Sequence, residues 1–131
     1  MRERTPVDIG LEFVEHINRT EHQQLCDMMT DDYTFIDITG GQHGPKREMV
    51  EGWREYMRRW PHYMIHISEA YNVGDAAVMP GRTVNSHLEI PREEEFADPL
   101  IFVARTRDGK VYQWHLLSET PENRRELGLT V

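Results

Sequence analysis

Residues 31–41 read DDYTFIDITGG. Tyr33, Phe35, Ile36 and Ile38 favour a strand, and Gly40-Gly41 ends it. Asp37 therefore falls inside the most strand-like run of the chain. If Tyr33 and Phe35 face a pocket, period-2 alternation carries Asp37 to the same side. A carboxylate in apolar surroundings is poorly solvated, so its pKa should rise toward neutrality. That would suit it to accept and return a proton. The plain alternative is an Asp37 that faces water.

On the N-terminal side the sequence predicts two helices. Thr5-Pro6-Val7-Asp8 reads as a helix start, with Thr5 as cap and Pro6 at the first helical position. Leu11, Val14 and Ile17 form its apolar stripe, with Phe13 beside it. Thr20-Glu21-His22-Gln23 has the spacing of a capping box, and Leu25, Met28 and Met29 make the buried side of a short second helix. On the C-terminal side, the loop GGQHGPK leads into a strong helix, REMVEGWREYMRRW (47–60), ended by Pro61. Strands are then expected at 63–71, at 76–90 with a bulge or bend at Pro80-Gly81, at 100–106, and at 110–119 after a hairpin turn. The acidic stretch 91–99 reads as a solvated connection and 121–127 as a polar tail. Grouped helices followed by an antiparallel meander indicate an α+β fold with helices on one side of a curved sheet.

Composition bounds the function. The 131 residues make a single domain, 1–131. Fifteen Lys and Arg face 23 Asp and Glu, a net charge of −8, which argues against nucleic-acid binding and against anionic membranes. No run approaches the ~20 apolar residues of a membrane span. The N-terminal MRERTPVD lacks an apolar signal region. Cys26 is a lone cysteine with no disulfide partner, so a cytoplasmic setting is expected.

The order of elements resembles the SnoaL-like branch of the nuclear transport factor 2-like superfamily, from about Val7 to Glu119. DDYTFID, HGPKREMVEGW, IHISEAYNVGDAAVMPG and RDGKVYQWHLLSE carry the resemblance. It implies a cone-shaped, cystatin-like fold: a bent, mostly antiparallel sheet wrapped round a long helix, enclosing an apolar pocket. It also implies a homodimer formed through the outer sheet face. The family includes isomerases, polyketide cyclases, epoxide hydrolases, dehydratases and non-catalytic binding proteins. In its ketosteroid isomerases the first strand reads D-D-x-T-x-x-D and the last Asp is the general base. DDYTFID matches, which implies that role for Asp37. Other isomerase parts are missing. The carbonyl-polarising Tyr of the first helix corresponds to Phe13, and the protonated Asp of a later strand falls in Ile101-Phe102-Val103. The epoxide hydrolase Arg-x-Asp pair is reduced to Arg105.

Catalytic candidates are thus Asp37, with His43 in the following loop and His115 on the last strand. The parity of that strand is open: His115 could face Asp37 across the pocket, or Trp114 could point inward and leave His115 on the dimer face. Substrate-binding candidates are Phe13, Tyr33, Phe35, Trp53, Tyr56 and Trp114, with Trp60 structural. No histidine or cysteine spacing supports a metal site, and no cofactor is expected. The leading reading is an acid/base isomerase, cyclase or dehydratase acting on an apolar, oxygenated small molecule, polyketide-like or terpenoid-like. Its rival is a binding or dimeric interaction module of the same fold.

Overall fold

The computed structural model describes residues 3–129. Helix α1, Pro6–Asn18, starts where expected. Thr5 Oγ1 accepts from the Asp8 amide at 3.2 Å, and Asp8 Oδ2 accepts from the Thr5 amide at 2.9 Å. Its buried stripe is Ile9, Phe13, Val14 and Ile17; Leu11, expected there, is exposed because the stripe is set by Ile9, Phe13 and Ile17 one turn apart. Helix α2, His22–Asp27, lacks the expected capping box. Thr20 lies at φ +52° and donates its hydroxyl to the Arg19 carbonyl, so Glu21 becomes the cap position without a side-chain bond. Met29 leaves this helix and begins β1.

The remaining elements are β1 (Met29–Ile36), β2 (Gln42–His43), α3 (Lys46–Arg59), β3 (Met64–Ile67), β4 (Tyr71–Val73), β5 (Ala76–Val84), α4 (Arg92–Phe96), β6 (Leu100–Arg107), β7 (Lys110–Ser118) and α5 (Pro121–Glu126). The sheet runs β2-β1-β7-β6-β5-β3, with β4 also on β5. It is curved and open, and antiparallel except that β1 runs parallel to β7. The expected strand 63–71 is two strands, and both pair with the same edge of β5. β3 pairs with Gly81–Val84 and β4 with Ala76–Val78. Pro80-Gly81 marks the change of partner rather than a break: β5 stays paired to β6 through both residues. The Pro80 carbonyl accepts from the Ser68 amide at 2.9 Å, which closes the bend between β3 and β4.

The two faces of the sheet have separate apolar clusters. The concave face packs Ile65, Ala77, Met79, Leu100, Phe102 and Trp114 against α1 and α3. On the convex face, Ala76, Val78, Ile101 and Val103 are covered by Leu127 and Leu129 of the C-terminal segment. The expected polar tail is therefore a helix and an apolar lid. Thr120 caps it by accepting from the Asn123 amide at 3.0 Å, and Pro121 sits in its first turn. The acidic connection also holds a helix, α4, because Glu95 turns inward and is buried. It accepts from Thr83 Oγ1 at 2.5 Å and from the Ser86 amide at 3.3 Å. Arg82 donates to the Phe96 carbonyl at the end of this helix, at 2.8 Å.

The partner change makes Gly81 a point of close approach. A Cβ there would collide with the His66 carbonyl oxygen. Gly81→Ala should push β3 off β5 and lower stability by about 1–3 kcal/mol. The urea midpoint, measured against wild type, checks this.

Candidate functional site

A chamber of about 510 Å³ lies between α3 and the concave sheet face. Met49, Gly52, Trp53 and Tyr56 form its helical wall. These positions follow the i, i+3, i+4, i+7 rule, so one stripe of α3 supplies the whole wall. Phe35, Phe102, Trp114 and Leu116 form the sheet wall. The alternation of β7 puts Trp114 and Leu116 inside together, and Trp114 is opposite Phe35 across the β1–β7 pair. Gln42, His43 and Glu48 close one end, near the start of α3. Tyr63 and His87 close the other, near its finish.

Asp37 departs from the expectation in two ways. First, β1 stops at Ile36, so Asp37 opens a turn instead of continuing the strand into the chamber, and it does not line it. Its Oδ1 accepts from the Thr39 amide (2.9 Å), the Thr39 hydroxyl (2.6 Å) and the Gly41 amide (3.0 Å). Second, its pKa goes down, not up. The His43 hydrogen bond is the main cause, followed by the Thr39 hydroxyl and the Gly41 amide, and burial opposes them only weakly. Asp37 is a stable carboxylate that ties the turn together.

The histidine gains what the aspartate loses. The turn reverses the chain, and β2 pairs antiparallel with β1 so that His43 stands opposite Phe35. The two rings stack at 5.6 Å, on the chamber face. His43 Nε2 donates to Asp37 Oδ2 at 2.7 Å. An ionised carboxylate can only accept, so the proton of neutral His43 is fixed on Nε2. Nδ1 is left as the ring's acceptor, with no hydrogen-bond partner among the described residues. This pair can take a proton from a bound molecule and stabilise the resulting imidazolium.

The other candidates divide cleanly. Phe35, Trp53, Tyr56 and Trp114 line the chamber. Phe13 and Tyr33 do not; both are fully buried behind it, with Phe13 packed on Trp114 at 4.9 Å and near Tyr33 at 6.1 Å. His115 is not a chamber residue either. Trp114 takes the inward position, so His115 shares the opposite face with Val103 and Ile36, its neighbours in register. Burial, with the nearby Arg105 charge, lowers its pKa.

Three residues at the far end of α3 escaped the sequence reading. β5 ends at Val84, and Asn85 and Glu89 both adopt positive φ, at +59° and +52°. The expected strand to residue 90 is thus a loop, which turns His87 onto Tyr56. The Asn85-Ser86 pair is the turn signal that could have revealed it. The Tyr56 hydroxyl and His87 Nδ1 lie 2.9 Å apart, and the His87 amide donates to the same hydroxyl oxygen at 3.1 Å. Tyr63 and the buried Glu95 complete this end. Burial chiefly, with the Glu95 charge adding to it, pushes Tyr56 up to about 12; burial likewise holds Tyr63 well above its ordinary value. Both tyrosines stay protonated. Trp53 Nε1 and the Tyr33 hydroxyl are buried without a well-formed hydrogen bond among the described residues. Among those residues no three His, Cys, Asp or Glu side chains converge as a metal site, and no helix is long and apolar enough to cross a membrane.

An open curved sheet folded over α1 and α3, with an apolar chamber and an ionised carboxylate–histidine pair at its rim, defines a protein of the cystatin-like α+β class. Residues 11–114 match the SnoaL-like domain family, and the chain belongs to it. Its sequence matches no curated protein. Among solved structures it is similar to an uncharacterised cystatin-fold protein from Novosphingobium aromaticivorans (TM-score 0.74, 18% identity, covering 87% of this chain and 98% of that one). It is also similar to a hypothetical protein with a ketosteroid isomerase-like fold from Catenulispora acidiphila, in complex with trimethylamine (0.67, 18%, 96% and 95%). A third is an epoxide hydrolase of the LEH-like type from M. tuberculosis (0.69, 11%, 87% and 82%). At these identities the likeness is one of fold.

Two variants probe the site's construction. A Cβ at Gly52 would meet only Met49 Cε, at 3.9 Å. Gly52→Ala should therefore stabilise α3 by about 0.5–1 kcal/mol, whereas Gly52→Trp should fill the chamber; thermal melts and binding of an apolar fluorophore separate the two effects. Asp37 has a folded pKa below its unfolded value of about 3.9, so its stabilisation is present above that pH and is lost as pH falls. Asp37→Asn should be less stable than wild type at pH 7, and the difference should shrink below about pH 4, as read by urea denaturation across pH.

Proposed function

We propose that the protein is an acid/base enzyme acting on an apolar, oxygenated small molecule of polyketide-like or terpenoid-like character. The reaction is proton transfer next to a carbonyl, in an isomerisation, cyclisation or dehydration. The observation that carries this reading is the 2.7 Å bond from His43 Nε2 to Asp37, made by a histidine that also lines the apolar chamber. The base is then His43 through Nδ1. Asp37, expected to be the base itself, orients the ring and stabilises its protonated form. His43 takes the proton of a C–H bond adjacent to the carbonyl, the C–H electrons move onto the carbonyl oxygen as an enolate, and the imidazolium returns the proton at a second carbon. The chamber supports the substrate class, because its walls are aromatic and aliphatic with polar groups confined to its ends.

A second reading, a non-catalytic binding protein, is favoured by one observation: Asp37 spends both oxygens on its own turn and on His43. The two part on a single measurement. With 2-tetralone, a bicyclic ketone with acidic C–H bonds, wild-type protein in D2O should accelerate deuterium exchange beside the carbonyl. His43→Ala should remove the acceleration, and Asp37→Asn should reduce it by about 10²-fold or more. Exchange at the buffer rate with wild-type protein would leave the binding reading.

A further inference from the structure

The two ends of the chamber are built differently. Met49 and Tyr56 lie seven residues apart on α3, about 10 Å along its axis. His43 stands near the first and His87 on the second. His43 has its N–H bound to Asp37 and leaves Nδ1 as an acceptor. His87 is held through Nδ1. The Tyr56 oxygen already accepts the His87 amide, at 3.1 Å, and Tyr56 keeps its own proton to give. That proton goes to His87 Nδ1, 2.9 Å away. Neutral His87 then carries its proton on Nε2, where no described residue takes it. One end of the chamber therefore has an open acceptor and the other an open donor.

The loop that holds His87 is anchored from below. The buried Glu95 carboxylate accepts from the amide of Ser86, the residue before His87, and from Thr83 Oγ1. The His87 ring also meets Tyr56 and Trp60 edge-on, at 5.6 and 5.9 Å. Trp60 Nε1 donates to Glu89 at 3.2 Å on the other side of the loop. A histidine on a surface loop is thus fixed in tautomer and in place, which a solvated side chain does not require.

We infer that His87 is the hydrogen-bond donor of the chamber, giving its Nε2–H to the carbonyl oxygen of a ring ketone whose acidic C–H bond faces His43. This rests on the proton-transfer reading and deepens it. It assigns the carbonyl-polarising role, vacant at Phe13 and Ile101-Phe102-Val103, to a residue on a different element. When the C–H electrons move to oxygen, the bond from His87 strengthens as charge develops there. The ligand class follows from the apolar walls and the polar ends: an apolar ring ketone with its oxygen toward the end of α3.

The test compares 2-tetralone with 2-methylenetetralin, in which a CH2 group replaces the carbonyl oxygen. Wild-type protein should bind the ketone about tenfold more tightly, the worth of one neutral hydrogen bond. His87→Phe, which keeps an aromatic ring against Tyr56 and Trp60, should abolish that preference. His43→Phe should keep it while abolishing deuterium exchange. Equal preference in wild type and His87→Phe would overturn the inference, as would failure of wild type to bind either compound at millimolar concentration. In 15N NMR of histidine-labelled protein above pH 8, His87 should show a protonated Nε2 and an unprotonated Nδ1; the opposite tautomer would also overturn it. If exchange is absent but the ketone preference depends on His87, the donor stands and the base at His43 falls.

Discussion

Trp114 can be buried on only one face of the sheet, and the chamber depends on which face it takes. Its ring packs against Phe13 at 4.9 Å and stacks near Phe102 at 5.6 Å. Deleting a buried aromatic of this kind typically costs 3–5 kcal/mol, so the register of β7 is strongly held. Once Trp114 points inward, the parallel pairing with β1 brings Phe35 in beside it, and the antiparallel pairing of β2 then brings in His43. The same choice sends His115 out. One packing decision on the last strand therefore sets the identity of the histidine two strands away, at the β2 edge of the sheet.

Electrostatics then divides the work. A carboxylate half open to water beside a histidine is kept ionised by hydrogen bonds, and an ionised Asp37 is a better holder of an imidazole N–H than a proton acceptor in its own right. Glu95 plays the complementary part from the interior. It is buried with two hydrogen-bond donors and has no cation against it in the contacts described, and its charge discourages the neighbouring tyrosines from ionising.

The long amphipathic α3 and the strands around Phe35 and Ile65 were legible from a local period of 3.6 or 2, and the strand around Phe102 from its continuous apolar run. What the sequence hid was non-local or depended on a boundary. Strand alternation carried Asp37 into the chamber on paper, yet the strand ended one residue sooner, and the turn bonds to Thr39 and Gly41 are what ended it. His115 against Trp114 was a parity question that only packing answers. Glu95 looked solvated because three successive acids normally are, and only the donors of Thr83 and Ser86 account for its burial. His87 fell inside the expected strand 76–90 because its partner, Tyr56, lies 31 residues away.

The two ends of the chamber also respond differently to heat. Asp37 and His43 are six residues apart, inside one hairpin that makes its own bonds. The pair at the other end is joined across loops whose hold comes from Glu95 and the short α4. Segments with few apolar contacts open before the core does. Both residues of β2 are exposed, whereas Tyr56 packs together with Trp60, Tyr63 and His87, so on warming the hairpin end of the chamber loosens before the far end does.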